Sequence, residues 1–399
     1  MYFSPILPKD IKGNLDQELL LLSEQVCIKS ASLKGSHNRH IIDSIKELLR
    51  ITNSYYSNMI ESEGTHPIDI EKAMKKDFFE DKKRKRLQLL SLAHIDTQRF
   101  TELYIYENRG INIYTKEFIK LLHKKFYSAE NMDSFLDIEH DGKIFKIKPG
   151  IFREDNVHVG NHIAPKYSDI DATFNSFSNH FKEIYNTHTK AQKLLYALSS
   201  HHRLLWIHPF LDGNGRISRL FLDATLFDMD LEGYGLWNIS RGLARNSNDY
   251  KKNLSFADMN RQGMSDGRGV LSLRGLKYYL KFMLETALDQ ISFMGSNLEL
   301  NRLGDRIDKF VMLSEQNMMN ISPLPKYSSM LFKELLIAGE LQRGKVKDII
   351  GKKERTASML IKTLLNMDYL ESDSPKGAIR LKFNAKFASY VFPELIPNT

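Results

Sequence analysis

The sequence predicts a mainly α-helical protein that carries one short β-hairpin and ends in a small domain of helices and strands. Apolar residues recur at helical spacing through most of the 399 residues, which indicates amphipathic helices. Pro323 and Pro325 interrupt this pattern, because proline ends a helix. Beyond them the apolar segments become shorter, and two of them are typical of strands.

A succession of helices is predicted before the two prolines. They lie near residues 40–62, 68–78, 83–107, 115–127, 168–187, 189–207, 215–229, 246–259, 272–294 and 299–316. The stretch 129–150 is predicted as a loop in which Ile144, Phe145 and Ile147 are candidate strand residues. We divide the chain into an N-terminal helical region (1–110), a core (111–320) and a C-terminal domain (321–399).

Composition agrees with a soluble protein that has a proper core, since 42% of its residues are hydrophobic. The single cysteine, Cys27, excludes an internal disulfide and a cysteine-rich zinc site. The chain shows no signal-peptide pattern and no apolar run of membrane-spanning length, so we expect a cytoplasmic location and no membrane contact. The net charge of +8 is modest, and its densest cluster, residues 82–86, is interpreted as a solvated helix start in preference to a nucleic-acid site.

The run HPFLDGNGRISR at residues 208–219 is the most informative stretch of the chain. Apolar residues at helical spacing precede and follow it, which predicts a helix-loop-helix with Gly213, Asn214 and Gly215 at the N-terminus of the second helix. The free N–H groups and the dipole of a helix N-terminus favour anions, and glycine lets the backbone approach a phosphate. The run therefore predicts a phosphate site.

The charged residues of the run add chemistry to this site. Arg216 and Arg219 share one face of the first helical turn, and guanidinium groups suit phosphate oxygens. Asp212 is placed to bind a hard cation that bridges phosphates, and His208 is a candidate general base near neutral pH. Each of these residues alone is common in structural roles, but their conjunction in this order favours a catalytic site.

With these residues the run resembles the signature of Fic-domain enzymes, H-P-F-x-[D/E]-G-N-G-R-x-x-R, at every defined position. The resemblance implies a Fic-type helical bundle and a protein adenylyltransferase that uses ATP and Mg²⁺. His208 would deprotonate a Ser, Thr or Tyr hydroxyl of the target protein, and Asp212 would hold Mg²⁺. The Gly-Asn-Gly turn would form an anion hole, and Arg216 and Arg219 would bind the phosphates. Phe210 would anchor the loop in the core.

Two flanking segments extend the resemblance. Residues 149–153 (PGIFR) and 157–160 (VHVG) resemble the family's β-hairpin flap, predicted at about 149–165, which docks the target protein by strand pairing; an ordinary surface hairpin is the alternative. Residues 240–250 resemble the segment that lines the nucleoside pocket. Tyr250 is the candidate adenine contact there, and a core tyrosine is the alternative.

Residues 57–62, SNMIES, resemble the family's inhibitory helix, [S/T]-x-x-x-E-[G/N]. Ser57 and Glu61 are four residues apart and share a helix face. The resemblance implies that Glu61 pairs with Arg219, fills the place of the γ-phosphate and inhibits transfer; in some members the same residue supports removal of AMP. At position 62 the chain has Ser where the family has Gly or Asn, so the resemblance does not predict how this helix ends. A plain amphipathic helix is the alternative.

Beyond the prolines, three helices and a hairpin predict a winged helix. The helix-turn-helix is predicted at 344–366, with 353–366 as recognition helix and Leu370 and 379–383 in the hairpin. Lys353 and Arg355 are candidate DNA contacts at the start of that helix, and Lys376 and Arg380 are candidate backbone contacts on the wing. Protein-partner or dimer contacts are the alternative. Such tails are common in bacterial Fic proteins.

The sequence therefore predicts protein adenylyltransfer, with self-modification and a homodimer left open. A DNA-binding regulator whose nucleotide site acts as a sensor is the alternative from another class. A transferase of a different phosphate-containing group is a further alternative, because related folds carry different chemistry.

Overall fold

A computed structural model of the chain describes residues 3–35, 37–140, 143–160, 162–187, 189–318 and 321–397. Helices dominate these residues, and three small antiparallel sheets accompany them, which confirms the predicted fold class. None of the helices in the described ranges has the length and apolarity needed to cross a membrane.

The helices that precede residues 208–219 are largely those predicted from the sequence. They are α1 (Gln17–Ser32), α2 (Arg39–Ile60), α3 (Pro67–Met74), α4 (Lys82–Glu107), α5 (Lys116–Tyr127), α6 (Ile170–Phe181) and α7 (Lys190–Ile207). The first of them was not predicted. Its buried side is formed by Leu19, Ser23, Val26 and Ser30, and two serines on that side break the apolar periodicity on which the prediction depended.

The first of the remaining helices begins within residues 208–219, and the others follow it along the chain. They are α8 (Asn214–Asp228), α9 (Ile239–Arg245), α10 (Ser247–Asp258), α11 (Leu273–Leu298), α12 (Leu300–Glu315), α13 (Ser328–Ala338), α14 (Val346–Ile350), α15 (Glu354–Asn366) and α16 (Ala385–Val391). The sequence did not predict α9 or α16, which have seven residues each. Helices of two turns offer too few apolar positions for a periodic signal.

Two of the sheets have two strands each, and the third has three strands. Strand β1 (Asp137–His140) pairs with β2 (Lys143–Lys146), and β3 (His158–Val159) pairs with β4 (His162–Ile163). In the C-terminal region β7 (Ile379–Leu381) lies between β5 (Glu340–Leu341) and β6 (Leu370–Glu371). Ile144 and Phe145 lie in β2 as predicted, whereas Ile147 lies just beyond its end.

Helix α8 lies at the centre of the helical bundle. It packs against α7, α4 and α5, and α2 packs against α4 and α9. Residues Ile217 to Leu222 of α8 are all buried. The start of α8 is thereby anchored in the bundle, which positions the loop that leads into it.

The C-terminal region contains the three helices and the hairpin that the sequence predicted, with β5 as an additional strand. It packs directly on the preceding helices, because Phe310 of α12 lies 4.8 Å from Phe387 of α16 between ring centroids. Its last residues contact α2 through the hydroxyl of Tyr56, which donates to the carbonyl of Leu395 at 3.0 Å. The hydrophobic core is therefore continuous across position 320, and the predicted domain boundary there stays a prediction.

Candidate functional site

The loop between α7 and α8 has a fixed backbone conformation. Helix α7 ends at Ile207, and His208 adopts the left-handed region with φ +48°. Pro209 follows, and a residue before proline is disfavoured in the right-handed helical region. Gly213 at φ +80° then caps α8, which begins at Asn214. The helix-loop-helix prediction is confirmed, and the turn lies at the helix N-terminus.

Two side chains hold this loop from within. Asn214 makes two hydrogen bonds with the backbone of Phe210: its Oδ1 accepts from the Phe210 N–H at 2.9 Å, and its Nδ2 donates to the Phe210 carbonyl at 2.8 Å. The Phe210 ring is buried and stacks on His123 with 3.8 Å between centroids. The amide of Asn214 therefore closes the loop, and the predicted anion-binding role is left to the backbone N–H groups at the start of α8.

His208, the predicted base, is half-buried beside the flap. The pKa of His208 is lowered to about 4. Burial of the imidazole is the largest cause, and the nearby His162 and Arg153 lower the pKa further. A histidine with this pKa is neutral at physiological pH and can accept a proton. The His208 carbonyl accepts a hydrogen bond of 2.8 Å from Arg153 Nε.

Arg153 lies at the start of the predicted flap and is buried. Besides the carbonyl of His208, its guanidinium donates to the carbonyls of Asp155 at 2.7 Å and Pro165 at 2.5 Å. Its backbone N–H donates to the Pro209 carbonyl at 2.9 Å. One side chain thus ties both ends of the flap to the start of the loop.

The flap itself is present as the β3–β4 hairpin, inside the predicted range of about 149–165. His158 pairs with Ile163, and Val159 pairs with His162. Asn161, which falls within the predicted flap, lies outside the described residues, and only the backbone pairing of Val159 is described. His162 Nε2 hydrogen bonds to the Trp206 carbonyl at 2.7 Å, which brings the hairpin next to the end of α7.

Asp212, the predicted metal ligand, is 47% exposed. The Tyr127 hydroxyl donates to its Oδ2 at 2.5 Å, and Arg216 Nη1 lies 3.9 Å from the same oxygen. A side chain on Gly213 would meet this hydroxyl, since its Cβ would lie 2.7 Å from the oxygen of Tyr127. Glycine is therefore required at 213 by φ and by the close approach of the phenol.

Arg216 and Arg219 both contact the last turn of α2 and the residues that follow it. Arg219 Nε donates to the Ser57 hydroxyl and its Nη2 to the Ser57 carbonyl, each at 2.9 Å. The same Nη2 donates to Glu61 Oε1 at 2.7 Å. Arg216 donates to Asn58 Oδ1 at 3.0 Å and pairs with Glu63. The pair Glu61–Arg219 suggested by the resemblance is thus formed.

Glu63 and Asn58 were not singled out from the sequence. Nothing in their spacing distinguishes them from solvated polar residues at a helix end, because their partner lies more than 150 positions away in the chain. The structure places them beside Ser57 and Glu61. Each of the two arginines consequently has a carboxylate of its own.

The carboxylate of Glu61 lies directly over the start of α8. A Cβ added to Gly215 would lie only 2.2 Å from Glu61 Oε1, so an oxygen anion already occupies the space in front of this helix N-terminus. Burial alone would raise the pKa of Glu61, but the charges of Arg219 and Arg216 outweigh it and hold the pKa below its ordinary value. Glu61 therefore stays ionised at neutral pH.

Ser62 adopts a left-handed backbone conformation. Helix α2 ends at Ile60 with Glu61 as its C-cap, and Ser62 has φ +62°, a conformation that glycine and asparagine adopt readily after a helix. The serine therefore adopts this conformation at an energetic cost.

We expect Ser62→Gly to raise the free energy of unfolding by up to about 1 kcal/mol, because it removes a left-handed strain of roughly 1–2 kcal/mol at the lesser cost of glycine's backbone entropy. Urea unfolding measures the change. Ser62→Ala is the matched control, since it removes the hydroxyl and keeps the strain. A lower stability for the glycine variant than for the alanine variant would contradict the strain argument.

Tyr250, the candidate adenine contact, lies inside the core. Its side chain is 2% exposed, and its hydroxyl hydrogen bonds with His201 Nε2 at 2.8 Å. His201 Nδ1 in turn bonds with the Ser218 carbonyl at 2.9 Å. These contacts are those of a core tyrosine, and they place the ring behind α8, where it supports Arg219 and its surroundings.

Lys353 and Arg355, the candidate DNA contacts, are exposed at the start of α15. Arg380 was predicted to contact the DNA backbone from the wing. In the structure its guanidinium pairs with Glu371 and Asp373. An arginine held by two carboxylates is not available as a phosphate contact in this conformation.

The profile of the Fic/DOC family matches residues 114–226, which include the whole of the loop and α8 up to Leu226. The chain contains a Fic domain. Over 85 residues it is 35% identical to the protein adenylyltransferase Fic of Drosophila willistoni, a match that covers 21% of this chain and 17% of that protein. For the protein of the same name from Aedes aegypti the identity is 37% over 87 residues, with coverage of 21% and 17%.

The fold of the Fic domain and its surroundings is also found among solved structures. A Fic domain containing signaling protein from Bacteroides thetaiotaomicron superposes with a TM-score of 0.52 at 17% identity, covering 69% of this chain and 95% of that one. At such identity the likeness concerns the fold. The chain matches only 17% of the length of the two insect relatives.

Proposed function

We propose that this protein transfers AMP from ATP to a hydroxyl side chain of a target protein, and that residues 57–63 restrain this transfer. One observation carries the proposal: a neutral histidine, a half-exposed carboxylate, a helix N-terminus and two buried arginines lie within one loop and the first two turns of one helix. The names of the insect relatives, protein adenylyltransferase Fic, agree with this chemistry.

The residues would divide the reaction as follows. His208 accepts the proton of the target hydroxyl while that oxygen attacks the α-phosphorus of ATP. A bond forms between the hydroxyl oxygen and this phosphorus, and the bond from the phosphorus to the oxygen that bridges to the β-phosphate breaks. Pyrophosphate leaves with the bridging oxygen. The N–H groups at the start of α8 and the guanidinium groups of Arg216 and Arg219 stabilise the negative charge of the phosphates.

Mg²⁺ fits the residues present at this site. Asp212 exposes about half of its side chain, and none of the described residues hydrogen bonds to its Oδ1. No group of three or more His, Cys, Asp or Glu side chains among the described residues could cage an ion by itself. Mg²⁺ commonly uses one carboxylate together with substrate phosphates and water. When bound, Mg²⁺ would neutralise phosphate charge, and Asp212 would hold it.

The flap is the proposed docking site of the target protein. Its strands β3 and β4 are two residues long and lie next to His208, to which Arg153 links them. An extended target segment that pairs with such an edge would bring its hydroxyl to the base. A second copy of this chain could supply that segment, so self-modification is included in the proposal.

The restraint follows from the contacts of the segment after α2. Glu61 and Glu63 occupy the guanidinium groups that would bind phosphate oxygens, and Glu61 lies where an anion would approach Gly215. A carboxylate and a phosphate compete for the same charge-assisted hydrogen bonds. Productive binding of ATP therefore requires the end of α2 to withdraw.

The test is incubation of the purified protein with Mg²⁺ and ATP labelled on either the α- or the γ-phosphate. Adenylyltransfer predicts protein label from the α-phosphate only. Label from the γ-phosphate only would indicate phosphoryl transfer, and label from both positions would indicate transfer of the whole nucleotide. Absence of label, with ATP bound, would favour the nucleotide-sensor alternative.

Exposed Lys353 and Arg355 favour DNA binding as a second candidate function. We expect Lys353→Glu with Arg355→Glu to reduce the slope of log affinity against log salt by about 2, because two phosphate contacts are lost. Gel shifts at several salt concentrations measure this slope. Lys12→Glu with Lys29→Glu is a matched control with the same change of charge at exposed positions. If the unmodified protein does not shift DNA at low salt, the C-terminal region has no such role.

A further inference from the structure

Tyr127 is the last residue of α5 and lies beneath the loop. Its side chain is 2% exposed. The ring packs against His123 with 4.6 Å between centroids, and His123 stacks on Phe210 of the loop. The phenol is therefore packed against His123, which itself stacks on the loop, and its hydroxyl contacts the loop residue Asp212.

That hydroxyl contacts the carboxylate of Asp212. The distance of 2.5 Å from Tyr127 Oη to Asp212 Oδ2 is that of a hydrogen bond to an ionised acceptor. Asp212 is otherwise a half-exposed side chain at the edge of a turn, and such a side chain samples several rotamers. The bond holds Oδ2 against the phenol, whereas none of the described residues hydrogen bonds to Oδ1.

Gly213 shows that the loop and the phenol are fitted to each other. Its backbone passes so close that a Cβ would lie 2.7 Å from the Tyr127 oxygen and 2.8 Å from Cε2. The phenol that bonds to the carboxylate is thus packed closely against the Gly213 backbone. In metal sites, the groups that orient a ligand in this way commonly contribute 10- to 100-fold to metal affinity.

We infer that Tyr127 is a positioning residue that fixes the Asp212 carboxylate for a divalent cation carried by the nucleotide. The inference rests on the proposed function, because it takes Asp212 as the ligand of the cation. Removal of the Tyr127 hydroxyl oxygen is therefore expected to lower the affinity for the metal–nucleotide complex. The affinity for the metal-free nucleotide should stay unchanged.

The experiment compares Tyr127→Phe with its control in a Glu61→Gly background, where Glu61 no longer occupies Arg219. Binding of Mn²⁺ in the presence of ATP is measured by electron paramagnetic resonance, and binding of ATP alone by calorimetry in EDTA. Tyr279→Phe is the matched control, because its hydroxyl is also buried but has no hydrogen-bond partner among the described residues. Asp212→Ala, alone and with Tyr127→Phe, completes a double-mutant cycle.

We expect Tyr127→Phe to weaken Mn²⁺ binding about 10-fold and to leave ATP binding in EDTA unchanged, while Tyr279→Phe changes neither. In the Asp212→Ala background the effect of Tyr127→Phe should vanish. Unchanged Mn²⁺ affinity in Tyr127→Phe, with a loss in Asp212→Ala, would overturn the positioning role and leave the proposed function intact. Absence of Mn²⁺ binding in the Glu61→Gly protein itself would overturn both.

Discussion

Replacing Glu61 with glycine is expected to raise the incorporation of α-phosphate label into protein by roughly 10- to 100-fold. The substitution removes the hydrogen bond of 2.7 Å from Arg219 Nη2 and clears the space in front of Gly215. A hydrogen bond between charged groups contributes about 1.5–3 kcal/mol, and each 1.4 kcal/mol corresponds to about a factor of ten. Labelled ATP and autoradiography of the purified protein measure the change.

Two further variants test the physical reason. Glu61→Gln keeps the volume and loses the charge, so it should activate less than glycine does. Glu63→Gln weakens the hold on Arg216 and leaves Glu61 in place, and it should add to the effect of Glu61→Gly in the double variant. Equal or lower incorporation in a folded Glu61→Gly protein would contradict restraint by this carboxylate.

His208→Ala, made in the Glu61→Gly background, is expected to lower the transfer rate by at least about 100-fold, the usual minimum for removal of a general base. ATP binding should remain, because the phosphate-binding groups belong to the start of α8. The pKa of about 4 also predicts the pH dependence. The imidazole is neutral above this pKa, so transfer should persist near pH 6 and decline only as the pH falls toward 4.

His180→Ala is a suitable control for the same assay. This histidine is half-buried on α6, where its Nδ1 bonds to the Ser176 carbonyl, and it lies outside the loop. Its substitution should leave the transfer rate within about two-fold, since changes remote from a site are usually small. Undiminished labelling by His208→Ala would overturn the assignment of the base, whereas a decline of transfer near pH 6.5 would contradict only the lowered pKa.

The loop could be predicted from the sequence because its parts are contiguous. His208, Asp212, the Gly-Asn-Gly turn and both arginines follow one another, and the apolar spacing on either side indicates the two helices. The positions of Gly213 and Gly215 at a helix N-terminus were confirmed by the structure. Local spacing is sufficient where a site is built from one loop.

The groups that act on this loop from a distance could not be predicted. Tyr127 ends an amphipathic helix in which it resembles any core aromatic residue, and Glu63 resembles a solvated glutamate. Strand β5 has only two residues, and it exists because β7 supplies its hydrogen bonds. Such contacts depend on packing between segments far apart in the chain, and no periodicity within either segment encodes them.

The contact between α2 and the C-terminal tail has a thermodynamic consequence. Tyr56 precedes Ser57 on α2 and bonds to the Leu395 carbonyl, and Arg241 bonds to the neighbouring Glu394 carbonyl. Linkage between two sites is reciprocal. If ATP displaces the end of α2, bound ATP makes release of the tail easier. The free energy of this effect equals the free energy by which release of the tail strengthens ATP binding. Protection of the amide protons near Leu395 from exchange would then report, from the far end of the chain, whether nucleotide is bound.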